Sequence, residues 1–462
     1  MRKSPEETNM SKDWLIENAT VVTMNEKREV LPQASIVIQD ERIAAIGNKK
    51  EMRQAYPQTE MFNAAGMVAL PGMINCHTHI PMSLQKGITL AVTDGVYRVM
   101  WPVEKNLKPE DVYIGALAGG AEALLGGSTT VVDHYFFAEQ TARAVCELGL
   151  RGVIAHTLMS RIGPFTGEKE FEESIDFVRR WKGHHPLVIP WLGPHASESV
   201  STEWFLKLRQ AASDEGVGLH MHLAQSPQER DYIKEQHGKG CVEYLAEIGV
   251  LDNDVLAAHC IFISEDEMDL LAKTGAHPVY CPMGHSLGGK PAQAWKMMQK
   301  GADVLIGTDA VTSNNVMDLT GELRMAGAAQ KQLTNNPLAM PSSRILEMVT
   351  VNAAAAIGMQ GKLGTLAPGY LADLVLLDFR RMSTAPAYSL LDTIVYCCNG
   401  RDVNTVFVNG RMVVRDGRLL TMDEEELVKR IDERGHSLIS RAAKGDTELE
   451  ILFRSNTFFH EE

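Results

Sequence analysis

The stretch MVALPGMINCHTH, residues 67–79, decides how this chain is read. An apolar β-like run breaks at Pro71 and Gly72, then resumes as a strand that ends in His77 and His79. Positions i and i+2 of a strand share a face, so both imidazoles can reach one ion. Beyond this point apolar strands alternate with helical segments. The strands read as STTVVDHY (128–135), RGVIAHTL (151–158), PLVIPWLGP (186–194), VGLHMHLA (217–224), DVLAAHC (254–260), AHPVYCP (276–282) and ADVLIGTD (302–309). Together with MINCHTH they make eight candidate strands, separated by helical patterns such as TEWFLKLRQAASDEG (202–216). That arithmetic predicts an α/β fold, a (β/α)8 TIM-like barrel.

Outward from the barrel the texture changes. LIENATVVTM (15–24) and ASIVIQDERIAAIG (34–47) carry β-branched residues broken by polar turns, which predicts a small antiparallel sheet. After the helical segment SSRILEMVTVNAAAAIGM (342–359), β texture returns in LADLVLLD (371–378) and TVFVNGRMVVRDG (405–417). The two ends are expected to pair into one flanking β-sandwich. The chain then divides into residues 1–70 (first part of the sandwich), 71–362 (barrel), 363–421 (second part of the sandwich) and 422–462, a tail with helical charge spacing that packs outside.

Composition narrows the function classes. The 462 residues are 45% hydrophobic and 23% charged, near globular averages, which excludes a disordered or low-complexity chain. The 45 basic residues are outnumbered by 59 acidic ones, and a net charge of −14 makes nucleic acid and anionic membranes poor partners. Seven cysteines with no CxxC pair argue against a disulfide framework or a thiolate zinc site. The polar start MRKSPEETNMSKDWL and the lack of any apolar run of about 18 to 20 residues lead to the expectation of a cytoplasmic protein.

In a barrel of this kind, polar residues at the C-terminal ends of strands converge on the mouth where chemistry is done. His77, His79, His222, His259 and Asp309 all stand at such ends. Any one of them alone is more simply a satisfied polar residue. Five at four strand ends point instead to a centre of imidazoles and a carboxylate, suited to Zn²⁺ or Fe²⁺ with a position left for water. Met100, Trp101, Met283 and Trp295 are candidates for an apolar wall around a flat ring, against their commoner use as plain core. Cys76 and Cys260 adjoin His77 and His259, so strand alternation predicts that both pack outward under the helices.

On these residues, with GPH (193–195), HMHLAQSPQE (220–229), GTDAVTSNN (307–315) and LGTLAPGYLADLVLLD (363–378), the chain resembles the amidohydrolase superfamily. It is most similar to the branch that holds S-adenosylhomocysteine and methylthioadenosine deaminases, melamine deaminase and the triazine hydrolases. The resemblance implies one divalent metal, zinc or iron, held by His77, His79, His222 and Asp309. His220 is left as structural. The strands RGVIAHTL and PLVIPWLGP lack the lysine that would bridge a second metal. It also implies that Asp309 accepts a proton from the attacking water and that His259 polarises the atom under attack. Glu104 in WPVEKN and His195 match substrate-contacting positions, and the resemblance implies a homo-oligomer. A small heterocycle is the implied substrate.

Two departures stand out. Relatives carry a catalytic glutamate three residues after the second histidine of HMH, and here that catalytic, substrate-contacting position is Gln225, an amide that can orient a substrate but cannot transfer a proton at neutral pH. Glu229, four residues on, is read as scaffold. In VYCPMGHSLGG (279–289) the residues Gly284, His285, Ser286 and Leu287 replace the relatives' Ser-Asn pair, so the pocket wall differs. The leading expectation is hydrolytic removal of an amino or substituted-amino group from an N-heterocycle. Hydrolysis of an amide, ester or ring-carbon halide is the alternative that Gln225 favours. A metal-bearing protein that only binds would not require the full set of HTH, His259 and Asp309.

Overall fold

The computed structural model describes residues 13–89, 92 and 94–454. Residues 1–12 and 455–462, the outer ends of the first and last expected segments, lie outside the described residues. All eight anticipated barrel strands are present: β1 (Met73–Thr78), β2 (Ser128–Tyr135), β3 (Arg151–Leu158), β4 (Val188–Pro194), β5 (Leu219–Leu223), β6 (Val255–His259), β7 (His277–Tyr280) and β8 (Leu305–Ile306). They pair in parallel and in chain order, with helices in the connections.

The ring closes through backbone just past β8. Asp309 N–H donates to His77 C=O at 2.9 Å, and Thr308 N–H donates to Asn75 Oδ1 at 2.9 Å. Gly307 permits this approach, because a Cβ there would stand 2.6 Å from His77 N. The residues that close the barrel are thus the immediate neighbours of those that make its polar mouth.

Both faces of the strands are buried, which is why they read as near-continuous apolar runs. Val131, Ile154, Leu192, Met221, Ala257 and Ile306 pack with the outer helices. Ile74, Cys76, Val132, Val153, Ala258, Val279 and Leu305 form a separate interior cluster, joined by Ala353 and Ala354 of the helix Val351–Ala356. Cys260 lies on the helix side as expected, but Cys76 does not. The β1–β2 register shifts between Asn75 and Thr78, and this irregularity breaks the strict alternation on which the outward expectation rested.

The flanking layer is one nine-stranded sheet drawn from both chain ends. At its centre Met67–Pro71 pairs antiparallel with Leu374–Asp378, so the N- and C-terminal segments are interleaved rather than side by side. The N-terminal part is not purely antiparallel, since Trp14–Val22 pairs in parallel with Glu60–Asn63 and Met67–Pro71. Parallel pairing needs a crossover, and the short helix Lys49–Ala55 lies in it. The sheet curls enough that Trp14 meets Phe407 edge-on at 5.8 Å, closing an apolar interior with Ile16, Ile36, Ile38 and Leu376.

Barrel and sheet are fastened by a buried ion pair. Arg151, the first residue of β3, is 1% exposed and donates from Nε and Nη2 to Asp373 at 3.3 and 3.0 Å. Its remaining donors go to Pro186 C=O and Asn409 Oδ1, so the guanidinium is well satisfied. The tail forms the helix Glu424–Ala443, capped by Asp423, and its Arg434 and Arg441 pair with the buried Asp111 of the helix Pro109–Leu125. Among the described residues no helix is long and apolar enough to cross a membrane.

Candidate metal centre and substrate pocket

His77 at the end of β1, His79 just past it, and His222 on β5 bring their ring nitrogens within 4.8 Å of one another. His77, His259 and Asp309 form an overlapping group within the same distance. Asp309 Oδ1 stands 3.4 Å from His77 Nε2 and 3.5 Å from His79 Nε2. The tautomers follow from the far side of each ring. His79 Nδ1 donates to the His134 carbonyl and His222 Nδ1 to the His195 carbonyl at 2.9 Å, while His77 Nδ1 faces His220 Nε2 at 2.8 Å. Such partners fix the ring and leave the other nitrogen's lone pair free, the arrangement found around metal-ligating histidines.

That arrangement tests whether an ion fits. His79 Nε2 and His222 Nε2 face each other at 3.2 Å, although each ring already uses its proton on a carbonyl. Two lone pairs at that distance repel unless a cation lies between them. His77 Nε2 is likewise buried with no hydrogen-bond partner. Burial pushes His77 down to about 3 and His79 and His222 below their ordinary range, so all three are neutral donors at neutral pH. For Asp309 burial acts upward, but the neighbouring His77, His259 and His79 hold it far below the carboxylate range. Three imidazoles and a carboxylate fit a divalent ion such as zinc. A further group, His259, Cys281 and His285, is poorer, because burial raises the Cys281 thiol well above its usual range and a thiol must be deprotonated to ligate.

The backbone beside these groups is unusual. His259 and Asp309 adopt φ of 82° and 63°, a left-handed conformation costly for side chains of this kind and characteristic of functional sites. Asp133 of β2 supports the turn after HTH, accepting from Ile80 N–H at 2.6 Å and Thr78 Oγ1 at 3.0 Å.

His79, His222, His259 and Asp309 line a cavity of about 410 Å³, within the range of small-molecule pockets, and His77 is not among its lining. One wall is apolar and aromatic, with Met100, Trp101, Phe136 and Met159. Met283 and Trp295, the other two candidates for that wall, are not among its lining. Glu104, His195 and Gln225 all line it, as does His259, whose Nδ1 lies 3.0 Å from His285 Nε2. Glu104 is buried and its carboxyl is pushed up to about 8, against the lowering effect of the Tyr135 hydroxyl that donates to it at 2.8 Å. His220 lies behind His77, and Glu229 has both oxygens engaged, by Ser197 Oγ at 2.6 Å and Gln225 N–H at 2.8 Å.

Two pocket residues escape sequence reading. His134, in STTVVDHY, lines the cavity and lends its carbonyl to His79. Glu198, three residues past His195 in GPHASES, is 6% exposed and faces the same cavity. The signal for both was position, on or just past the C-terminal end of a barrel strand, although a loop glutamate among serines has no periodicity to mark it.

A profile of the amidohydrolase family matches residues 68–413. The chain is 34% identical over 434 residues to a 5'-deoxyadenosine deaminase of Methanosarcina mazei, covering 93% of this chain and 99% of the relative. It is 35% identical over 432 residues to a 5-methylthioadenosine/S-adenosylhomocysteine deaminase of Pelotomaculum thermopropionicum, covering 92% and 99%. Among solved structures, a zinc-bound adenosine deaminase from Xanthomonas campestris superposes with a TM-score of 0.88 at 26% identity, covering 93% of this chain and 99% of that one.

Proposed function

Since the chain belongs to the amidohydrolase family, we propose that it is a metal-dependent hydrolase that removes an amino or substituted-amino group from an N-heterocycle of the aminopurine, aminopyrimidine or triazine type. The observation that carries this reading is the convergence of His77, His79, His222 and Asp309, the last three of which line a cavity with an aromatic wall. The ion is one zinc. A divalent ion bound by this set lowers the pKa of water to about 7 and so makes a nucleophile available at neutral pH.

The chain's own groups do the rest. The Asp309 carboxylate takes the proton of the attacking water. His259, held through Nδ1 by His285, presents Nε2 to the atom under attack. Glu104, neutral near pH 7, donates a hydrogen bond to a polar edge of the substrate, and His195 contacts it from beside Trp101, whose ring lies 6.3 Å away. The Gln225 amide orients the heterocycle. In the cell the seven unpaired cysteines fit a reducing cytoplasm, and by resemblance the working form is a homo-oligomer.

The test is ammonia release from 5'-substituted adenosines, aminopyrimidines and aminotriazines by the zinc-loaded protein. Ammonia from at least one class is the expected result, and silence across the panel overturns the reading. Gln225 favours one second reading, hydrolysis of an amide, ester or ring-carbon halide. Turnover of those substrates, with no ammonia released from the amino-heterocycle panel, would select it.

A further inference from the structure

We propose that Glu198 is the proton-transferring carboxylate of this site, supplying what Gln225 cannot. The proposal rests on the deaminase reading above. Gln225 Nε2 lies 3.5 Å from Glu198 Oε1, and Glu198 Oε2 is buried without a hydrogen-bond partner. Both side chains line the same cavity as Asp309 and His259. A buried carboxylate kept for packing has its oxygens satisfied, as Glu229 does through Ser197 and Gln225. Those two bonds also tie the loop that carries Glu198 to the end of β5, which fixes where Glu198 stands. Among the described residues, the groups that interact with it are Gln225, Glu229, Tyr97 and Cys241, none of them cationic. Burial, and then the charge of Glu229, raise its carboxyl well above the ordinary range, so it enters the reaction as an acid.

The protons balance with two carboxyl groups. Glu198 gives its proton to the ring nitrogen as water adds to the adjacent carbon, the C–O bond forms, and one water proton passes to Asp309. Asp309 then protonates the exocyclic amino group, and the C–N bond breaks with its electron pair leaving on ammonia. The remaining hydroxyl proton returns to the Glu198 carboxylate as the carbonyl forms. One water is consumed, one ammonia is released, and both carboxyls end as they began.

The experiment compares wild type, Glu198→Gln and the exchange variant Glu198→Gln/Gln225→Glu, all zinc-loaded and checked for equal metal content and melting. Loss of general acid–base help should lower kcat for ammonia release about 10²- to 10⁴-fold in Glu198→Gln with KM little changed, and the exchange should restore part of it. A single variant within about threefold of wild type, far short of that help, overturns the proposal. So does an exchange variant no better than the single one, which would mark Glu198 as structural. Infrared difference spectra of the metal-free proteins near neutral pH supply a readout independent of turnover. Beside the absorption of the protonated Glu104, a second protonated-carboxyl component should be lost in Glu198→Gln, and an unchanged spectrum overturns the assignment by itself. A wild type that releases no ammonia from any heterocycle fails the deaminase reading instead, and the infrared result still judges Glu198.

Discussion

Replacing Glu104 by Gln tests whether the pocket holds a neutral carboxylic acid. Burial pushes this carboxyl from 4.5 to about 8. The folded protein therefore prefers the protonated form, whereas the unfolded chain ionises near the ordinary value. The group contributes nothing below that value, and stability falls as pH rises from there to about 8, where the loss levels off. At about 1.4 kcal/mol per pH unit, wild type loses about 3 kcal/mol between about pH 5.5 and about pH 8.5 that the variant keeps. An unfolding entropy of about 2 cal/mol/K per residue makes about 1 kcal/mol/K over 462 residues. The melting midpoint of Glu104→Gln should thus gain about 3 °C on wild type across that interval. Glutamine keeps an acceptor for the Tyr135 hydroxyl and nearly the same volume, so the two proteins should differ little at the acid end. The assay is calorimetry at one fixed scan rate, because the midpoint of a large chain depends on it. Chelator-treated protein is used, so that no ion adds its own charge. Parallel pH profiles for the two proteins would refute the reasoning.

Three further outcomes are expected. His79→Ala removes one of the four proposed ligands and should abolish most zinc binding by elemental analysis, so unchanged metal content would contradict the ligand set. Gly307→Ala places a Cβ 2.6 Å from His77 N and should both lower the melting midpoint, by overpacking worth about 1 to 3 kcal/mol, and weaken zinc binding. A destabilised variant with wild-type zinc affinity would separate barrel closure from the metal site. Arg151→Met strands Asp373 and should cost about 3 to 5 kcal/mol, while Arg151→Met/Asp373→Leu should recover most of it, and equal melting of the two variants would show that the pair does not couple barrel to sheet.

The number and order of the barrel strands were legible in the chain because each strand, buried on both faces, is a local run of apolar residues that needs no partner to be recognised. His77, His79, His222, His259 and Asp309 were legible for a related reason. Their meaning comes from standing at strand ends, and strand ends can be counted along the sequence. Tertiary structure alone decided what those ends meet. The parallel pairing of Trp14–Val22 depends on a crossover, and the inward turn of Cys76 depends on a register irregularity against β2. The facing Nε2 atoms of His79 and His222 depend on carbonyls from two other strand ends, those of His134 and His195. Glu198 is the sharpest case. Nothing in GPHASES separates it from a solvated loop residue, because what distinguishes it is a buried oxygen without a partner, and burial is set by how the loops after β4 and β5 fold over the same cavity. Periodicity records which way a side chain leaves its own element; the company it finds there is set by chain segments far away in sequence.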